Sequence, residues 1–184
     1  MCAHVYHMNV PRVDRPEMPD GYGVKPEGAY LTWTTVEQRL IGSLHYWLST
    51  TRPDGTPHVV PRWGVWLEGA FWYDGSPATR HVRNLQTGNS CALHLESGSE
   101  TTILYGRSES SSPLTGDLAE RVSAEFVRKY ADLGYAPASD AWSDEMAGGL
   151  RILTPAKALA WSQFPEDVTR FTFEDDGSRG PAAS

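Results

Sequence analysis

Residues 48–97 read LSTTRPDGTPHVVPRWGVWLEGAFWYDGSPATRHVRNLQTGNSCALHLES. Two strand patterns meet at Pro53-Asp54-Gly55, where Pro presets one backbone dihedral and Gly permits positive φ. Leu44–Thr51 reads as the first strand and Thr56–Leu67 as the returning one. Pro57 and Pro61 fall within the second, and proline cannot donate to a ladder, so this strand belongs at an edge or carries a bulge. A third, aromatic strand, Ala70–Tyr73, follows the turn Glu68-Gly69. The chain then enters a short helix, expected over Pro77–Gln86, with Thr79, Arg80, Arg83 and Asn84 at helical spacing.

Strands that deliver a chain into a basic helix start make a phosphate site. The first-turn N–H groups of a helix lack internal partners, and the helix dipole adds positive charge there, so an anion is favoured. Proline suits a first helical position. Thr79 supplies a hydroxyl and Arg80 a charged fork matched to phosphate oxygens. Arg83 lies at i+3 and faces the same side. The same residues also suit a surface helix with solvated arginines, because Arg is mostly exposed in proteins. An anionic cofactor is the first hypothesis, ahead of any catalytic side chain.

Composition narrows the classes. The chain has 184 residues, which suits one domain, and 40% hydrophobic content with 11% aromatics can build a sizeable core. The formal net charge of -7 disfavours nucleic acid as a partner. Against that acidic background the arginines near residue 80 form a local exception. Cys2 and Cys91 make neither a zinc spacing nor a disulfide framework, and a reducing, cytoplasmic compartment is expected. Cys91 sits in an apolar alternating run and reads as a core thiol. No stretch approaches the length of a membrane span, and the N-terminus has no apolar signal-peptide core. His4 and His7 have no further ligand cluster beside them, so no metal site is assigned.

Residues 1–30 are rich in Pro and Gly and read as an irregular arm. Thr34 or Thr35 caps a short helix over Val36–Ile41 that ends at Gly42. After the basic helix come strands Cys91–Leu95 and Ile103–Arg107, joined through Ser97-Gly98-Ser99. The longest helix, Thr115–Leu133, places Leu118, Val122, Phe126 and Tyr130 on one stripe, and Gly134 closes it. A polar loop over 136–148 holds one aromatic, Trp142. Arg151–Leu153, Ala156–Trp161 and Thr169–Phe173 are the last strands, and residues 175–184 read as a disordered tail. Short strands at regular spacing with few long helices point to an antiparallel barrel.

These residues carry a family resemblance. STTRPDGTPHVVPRWGVW (49–66), FWYDGSPATRHVRNL (71–85), SCALHLESG (90–98) and LYGRSE (104–109) together resemble the pyridoxamine 5′-phosphate oxidase-like superfamily, and more narrowly its flavin- and deazaflavin-dependent oxidoreductases. ILTPAKALAW (152–161) and DVTRFTF (167–173) resemble the end of those proteins. The resemblance covers residues 33–174. It implies a mainly β, antiparallel Greek-key split β-barrel (the FMN-binding split barrel) with flanking helices, paired as a homodimer with the cofactor at the subunit interface. It implies that Pro61, Arg62 and Trp63 flank the tricyclic ring, that Thr79-Arg80 grips the phosphate where many relatives have Ser-Lys, and that Arg83 and Asn84 support it. Arg62 stands where many relatives have an apolar residue. The Arg- and Trp-rich C-terminal segment of true pyridoxamine phosphate oxidases is absent, which argues against vitamin B6 oxidation.

The expected activity is hydride transfer between F420 and a small organic substrate of the specialised-metabolite or unsaturated-carbonyl kind, with the protein supplying binding and orientation. The extra charge of Arg52, Arg62, Arg80 and Arg83 favours the long anionic tail of F420 over FMN. An FMN-dependent oxidase or reductase, and a non-catalytic flavin or haem carrier with His58 or His45 as axial ligand, are the alternatives. Trp47, Trp63, Trp66, Trp72 and Tyr105 are candidate pocket walls, of which one or two are expected to reach a ligand, because alternate strand residues face opposite sides. His58 is the side chain most suspected as a proton donor or ring contact, but a hydrogen-bonded strand histidine is the favoured account of it; His45, His81 and His94 are weaker candidates.

Overall fold

The computed structural model describes residues 10–22 and 28–174. Along them run β1 (Arg12–Asp14), α1 (Trp33–Gly42), β2 (Tyr46–Thr51), β3 (Pro57–Arg62), β4 (Val65–Leu67), β5 (Ala70–Asp74), α2 (Arg80–Thr87), β6 (Ser90–His94), β7 (Thr101–Ser110), α3 (Gly116–Tyr130), β8 (Leu150–Trp161) and β9 (Thr169–Thr172). Cys2, His4, His7 and the tail 175–184 lie outside the described residues.

The Pro53-Asp54-Gly55 turn forms as expected. The Arg52 N–H donates to the Thr56 carbonyl at 2.9 Å, and Gly55 has φ 83°. The Asp54 carboxylate accepts from the Thr56 amide at 3.0 Å and its hydroxyl at 2.6 Å. This local lock fixes the register in which Thr50 faces His58, Leu48 faces Val60 and Tyr46 faces Arg62. β3 is the last strand in the order β1-β9-β8-β7-β6-β2-β3, so both of its prolines sit on an edge.

All pairings are antiparallel, and β8 organises them. It pairs with β7 along its length, with β5 over Leu150–Leu153 and with β9 over Lys157–Ala160. The change of partner falls at Pro155, which has no N–H to give. Opposite it the register of β7 shifts between Tyr105 and Gly106. A Cβ at Gly106 would overlap the Thr154 carbonyl, so only glycine permits this approach. The sheet curls far enough that its two ends touch. Tyr46 of β2 and Phe71 of β5 have ring centroids 4.4 Å apart, although β8, β7 and β6 separate the two strands in the pairing order. The result is a barrel-like, mainly antiparallel β fold with three α-helices.

β5 is buried on both faces, which explains its unbroken apolar run. Phe71 and Tyr73 join Tyr46, Leu48, Leu93, Leu104 and Leu153 inside the barrel. Trp72 faces the other way and packs with Val122, Phe126, Tyr130 and Trp142 beneath α3.

Five boundaries differ from the sequence reading. α1 begins at Trp33 because the Thr32 hydroxyl, not Thr34 or Thr35, accepts the Thr35 amide (3.1 Å), and Ser43 caps its end. The returning strand breaks into β3 and β4 at Trp63-Gly64, where the Tyr130 hydroxyl accepts the Gly64 N–H at 2.9 Å and a Gly64 Cβ would overlap the Phe71 ring. α2 starts at Arg80, three residues past Pro77, with Thr79 as the flanking residue. The two expected strands around Pro155 are one. Within the arm, Arg12–Asp14 pairs with β9, and Asp14 takes both the Nε–H (2.6 Å) and an Nη2–H (3.0 Å) of Arg170. No helix among the described residues is long and apolar enough to cross a membrane.

Gly106→Ala is expected to destabilise the fold by about 1–3 kcal/mol through forced overpacking, read as a lower urea midpoint with an unchanged slope.

Candidate functional site

Closure of the sheet brings the end of β3 against the end of β5. There an Arg62 Nη2–H donates to the backbone carbonyl of Asp74, and the Arg62 guanidinium lies 6.0 Å from the centre of the Tyr73 ring. The Asp74 side chain turns toward the region after α3. Its Oδ1 accepts the Trp142 indole N–H at 3.1 Å, and its Oδ2 accepts the Tyr135 hydroxyl. Burial pushes the Asp74 carboxyl above the usual carboxylate range, against the pull of the Trp142 hydrogen bond and the Arg62 charge.

Next to this cluster opens a cavity of about 360 Å³, lined by Pro61, Arg62, Trp63, Asp74, Phe126 and Tyr135. Trp63 stacks on Tyr130 with centroids 5.0 Å apart and planes 12° from parallel, yet remains 36% exposed. Phe126 and Tyr135 meet edge to face at 5.7 Å. The opening is therefore aromatic-walled, with one guanidinium and one carboxyl.

The chain leaves Asp74 through Gly75–Ala78 and reaches α2. The Thr79 amide (2.9 Å) and hydroxyl (2.7 Å) both donate to the Ser76 carbonyl, so the hydroxyl does not cap the helix. Arg80 and Arg83 are exposed, and neither guanidinium has a hydrogen bond or ion pair among the described residues. Asn84 turns inward. It is 1% exposed and donates Nδ2–H to the Thr50 hydroxyl at 3.0 Å, while its Oδ1 is buried without a partner among the described residues. His58 Nδ1 lies 3.5 Å from the same hydroxyl. Thr50 thus links the helix to the candidate histidine.

His81 joins the two halves. It is buried beside the Tyr73 ring, with centroids 6.2 Å apart. Burial first, then the charges of Arg62, Arg151 and His58, push its pKa down to about 4. Arg151 is itself buried, donating to the Ser110 hydroxyl and the Ser108 carbonyl, both at 3.1 Å, and leaving Nε–H unpaired. A neutral imidazole is what such a cationic surround dictates.

The structure therefore brings Pro61, Arg62 and Trp63 into one cavity, puts Thr79, Arg80 and Arg83 at the helix start, and joins His58 and Asn84 through Thr50. Of the aromatic candidates Trp63 lines the cavity, whereas Trp66 and Trp72 are core residues. Trp47 stacks on His94 with centroids 6.3 Å apart, and Tyr105 takes Lys157 over its ring. His45 sits 3.7 Å from Glu96. Burial pushes the Cys91 thiol up to about 12, which leaves it unreactive. Asp74, Tyr135, Phe126 and Arg151 escape a reading of the sequence as site residues. Asp74 reads as a turn residue before Gly75, and only the lone Trp142 in a polar loop hints that this loop packs on something.

No family model and no curated protein matches the chain. By structure it is similar to an FAD-binding protein from Mesorhizobium loti, at 16% identity over 78% of this chain and 96% of that one, with a TM-score of 0.53. It is also similar to a heme-binding protein from Mycobacterium smegmatis, at 16% identity over 79% of this chain and 60% of that one, with a TM-score of 0.55. An F420 reductase aligns over 79% of this chain and 100% of its own at 18% identity, with a TM-score of 0.49, too loose to carry weight. The chain shares its fold with flavin- and haem-binding proteins.

Folded His81 stays neutral down to about pH 4, whereas an unfolded imidazole takes its proton near 6.5. Between those values the unfolded chain binds the extra proton, so stability falls as pH drops. His81→Gln is expected to flatten that part of the stability profile, measured by denaturant unfolding at a series of pH values; an unchanged slope would show that His81 is accessible to protons in the fold.

Proposed function

We propose that this chain binds a flavin-type cofactor, by preference F420, and is an oxidoreductase that transfers a hydride between it and a small organic substrate. One observation carries the reading: an aromatic-walled cavity at Pro61–Trp63 lies beside a helix start with two arginines whose guanidinium groups no other group among the described residues engages. The residues fit such a group. α2 begins without a side-chain cap, so its first-turn N–H groups remain donors for an anion. Arg80 and Arg83 add charge on the solvent side, and Arg52, exposed at the hairpin, extends it. Arg62 at the cavity together with the exposed Arg52, Arg80 and Arg83 is more positive charge than a single phosphate needs, which favours F420 over FMN, because its tail continues into carboxylates.

When bound, the cofactor supplies the redox chemistry. Pro61 and Trp63 wall the ring site, Arg62 contributes positive charge beside it, and Thr79, Arg80 and Arg83 hold the anionic tail. Asn84, through Thr50, fixes α2 and the position of His58. The outward face of the sheet supports a homodimer with the cofactor between subunits. Trp47, Val59, Ala92, Ile103 and Tyr105 share that face by register, and Val59 is 51% exposed. Pro61, opposite Trp47, brings the same face to the edge of the cavity.

Haem binding is the second reading. It is favoured by the structural neighbour named as heme-binding and by His58, whose ring is only half-buried and held by one long hydrogen bond.

Titration of the protein with F420, FMN, FAD and haemin separately distinguishes these readings. Arg80→Ala is expected to weaken the preferred flavin by about 1.5–3 kcal/mol, the usual worth of a hydrogen bond to a charged group. Unchanged affinity removes Arg80 from the site, and tight haemin binding with no flavin affinity replaces the first reading by the second.

A further inference from the structure

We propose that Tyr135 is the proton donor of this site, with Asp74 as the positioning residue that holds and resupplies it. The inference rests on the hydride-transfer reading and extends it to the second half of the reaction. Adding a hydride to an electron-poor double bond leaves a carbanion or enolate that needs a proton. His58 meets Thr50 and does not line the cavity. Tyr135 and Asp74 both line it, and they are hydrogen-bonded to each other.

The surroundings suit a relay. Asp74 is held from two sides, by Trp142 on Oδ1 and Tyr135 on Oδ2, so its orientation is set. Among the described residues the groups that face it are Arg62 from β3, Tyr135 following α3 and Trp142 from the next loop, and of these only Arg62 carries a charge. An Arg62 Nη2–H donates to the Asp74 backbone carbonyl, and among the described residues Arg62 makes no ion pair with the Asp74 carboxylate. Burial raises the carboxyl's proton affinity. A protonated Asp74 reverses the hydrogen bond, donating to the phenol oxygen and freeing the phenol proton for the cavity.

The step balances as follows. A C=C bond conjugated to a carbonyl accepts a hydride at its electron-poor carbon from the reduced flavin or deazaflavin, which loses two electrons. The neighbouring carbon takes the Tyr135 hydroxyl proton. The phenolate recovers a proton from the Asp74 carboxyl, and solvent at the cavity mouth reprotonates Asp74. The step serves the unsaturated-carbonyl substrates expected from the sequence, and Trp63, Phe126 and Tyr135 give the cavity its aromatic walls.

The test uses Tyr135→Phe, which keeps the ring, and Asp74→Asn, which keeps a hydrogen-bond acceptor but cannot relay a proton. Wild type and variants are loaded with whichever of F420 or FMN binds, reduced, and given cyclohexenone. Cofactor affinity and cyclohexenone quenching of tryptophan fluorescence should match wild type in both variants. Reduction should slow by about 100-fold or more in Tyr135→Phe, the usual contribution of a placed acid, and Asp74→Asn should lose the wild-type pH dependence of the rate. In the cofactor-free protein, NMR titration of the side-chain carboxyls should show Asp74 above the ordinary carboxylate range, and higher still in Tyr135→Phe, where the carboxylate loses a donor. A Tyr135→Phe rate within about tenfold of wild type, an Asp74 that titrates ordinarily, or a cofactor-loaded wild type inert to cyclohexenone overturns the donor role. Failure of the wild-type chain to bind any flavin overturns the cofactor reading instead.

Discussion

The structure depends on the bend of β8 at Pro155. A central strand that pairs with β5 at one end and β9 at the other must turn out of one plane, and it does so where proline cannot donate and where glycine on β7 admits the close approach. That bend curls the sheet until Tyr46 and Phe71 meet inside it. The juxtaposition of β3 with β5 follows, and with it the bond between Arg62 and the Asp74 backbone. A flat sheet with the same strands would hold the same side chains and have no cavity between them.

The site is built from polar groups placed in apolar surroundings. Arg62, Asp74, His81, Asn84 and Arg151 are buried or half-buried, and Arg62, Asn84 and Arg151 each keep one side-chain atom without a partner among the described residues. Burying polar groups costs free energy unless they are satisfied. The fold tolerates these because Trp142, Tyr135, Thr50, Ser108 and Ser110 satisfy the rest. In the proposed reading that cost maintains a neutral His81 and a raised Asp74 carboxyl next to an aromatic opening. The exposed arginines of α2 involve no such cost and remain available at the surface.

Much of this was legible along the chain. The hairpin at Pro53–Gly55 was readable because turn chemistry is local: Pro and Gly set dihedrals, and Asp54 bonds its own neighbour two residues on. The edge position of β3 followed from two prolines, and the buried stripe of α3 from a four-residue repeat. Boundaries were less legible where a distant group decided them. β3 and β4 look like one strand until Tyr130, 66 residues further on, clamps Gly64. β8 looks like two strands because Pro155 reads as a stop, yet β7 carries the ladder through. The three-residue β1 has no period to read and exists because β9 offers it an edge.

Sequence alone determined the strand-and-turn order, the barrel class and the candidacy of Arg80 and Arg83, because periodicity, turn residues and local charge are properties of neighbours, while Arg62 and Trp63 became candidates through the family resemblance. Only the tertiary structure decided that Asp74, Tyr135 and Trp142 meet, that His81 is neutral and that Asn84 faces the core. Those facts depend on burial and on contacts between residues dozens of positions apart, and such contacts exist only once the sheet has closed.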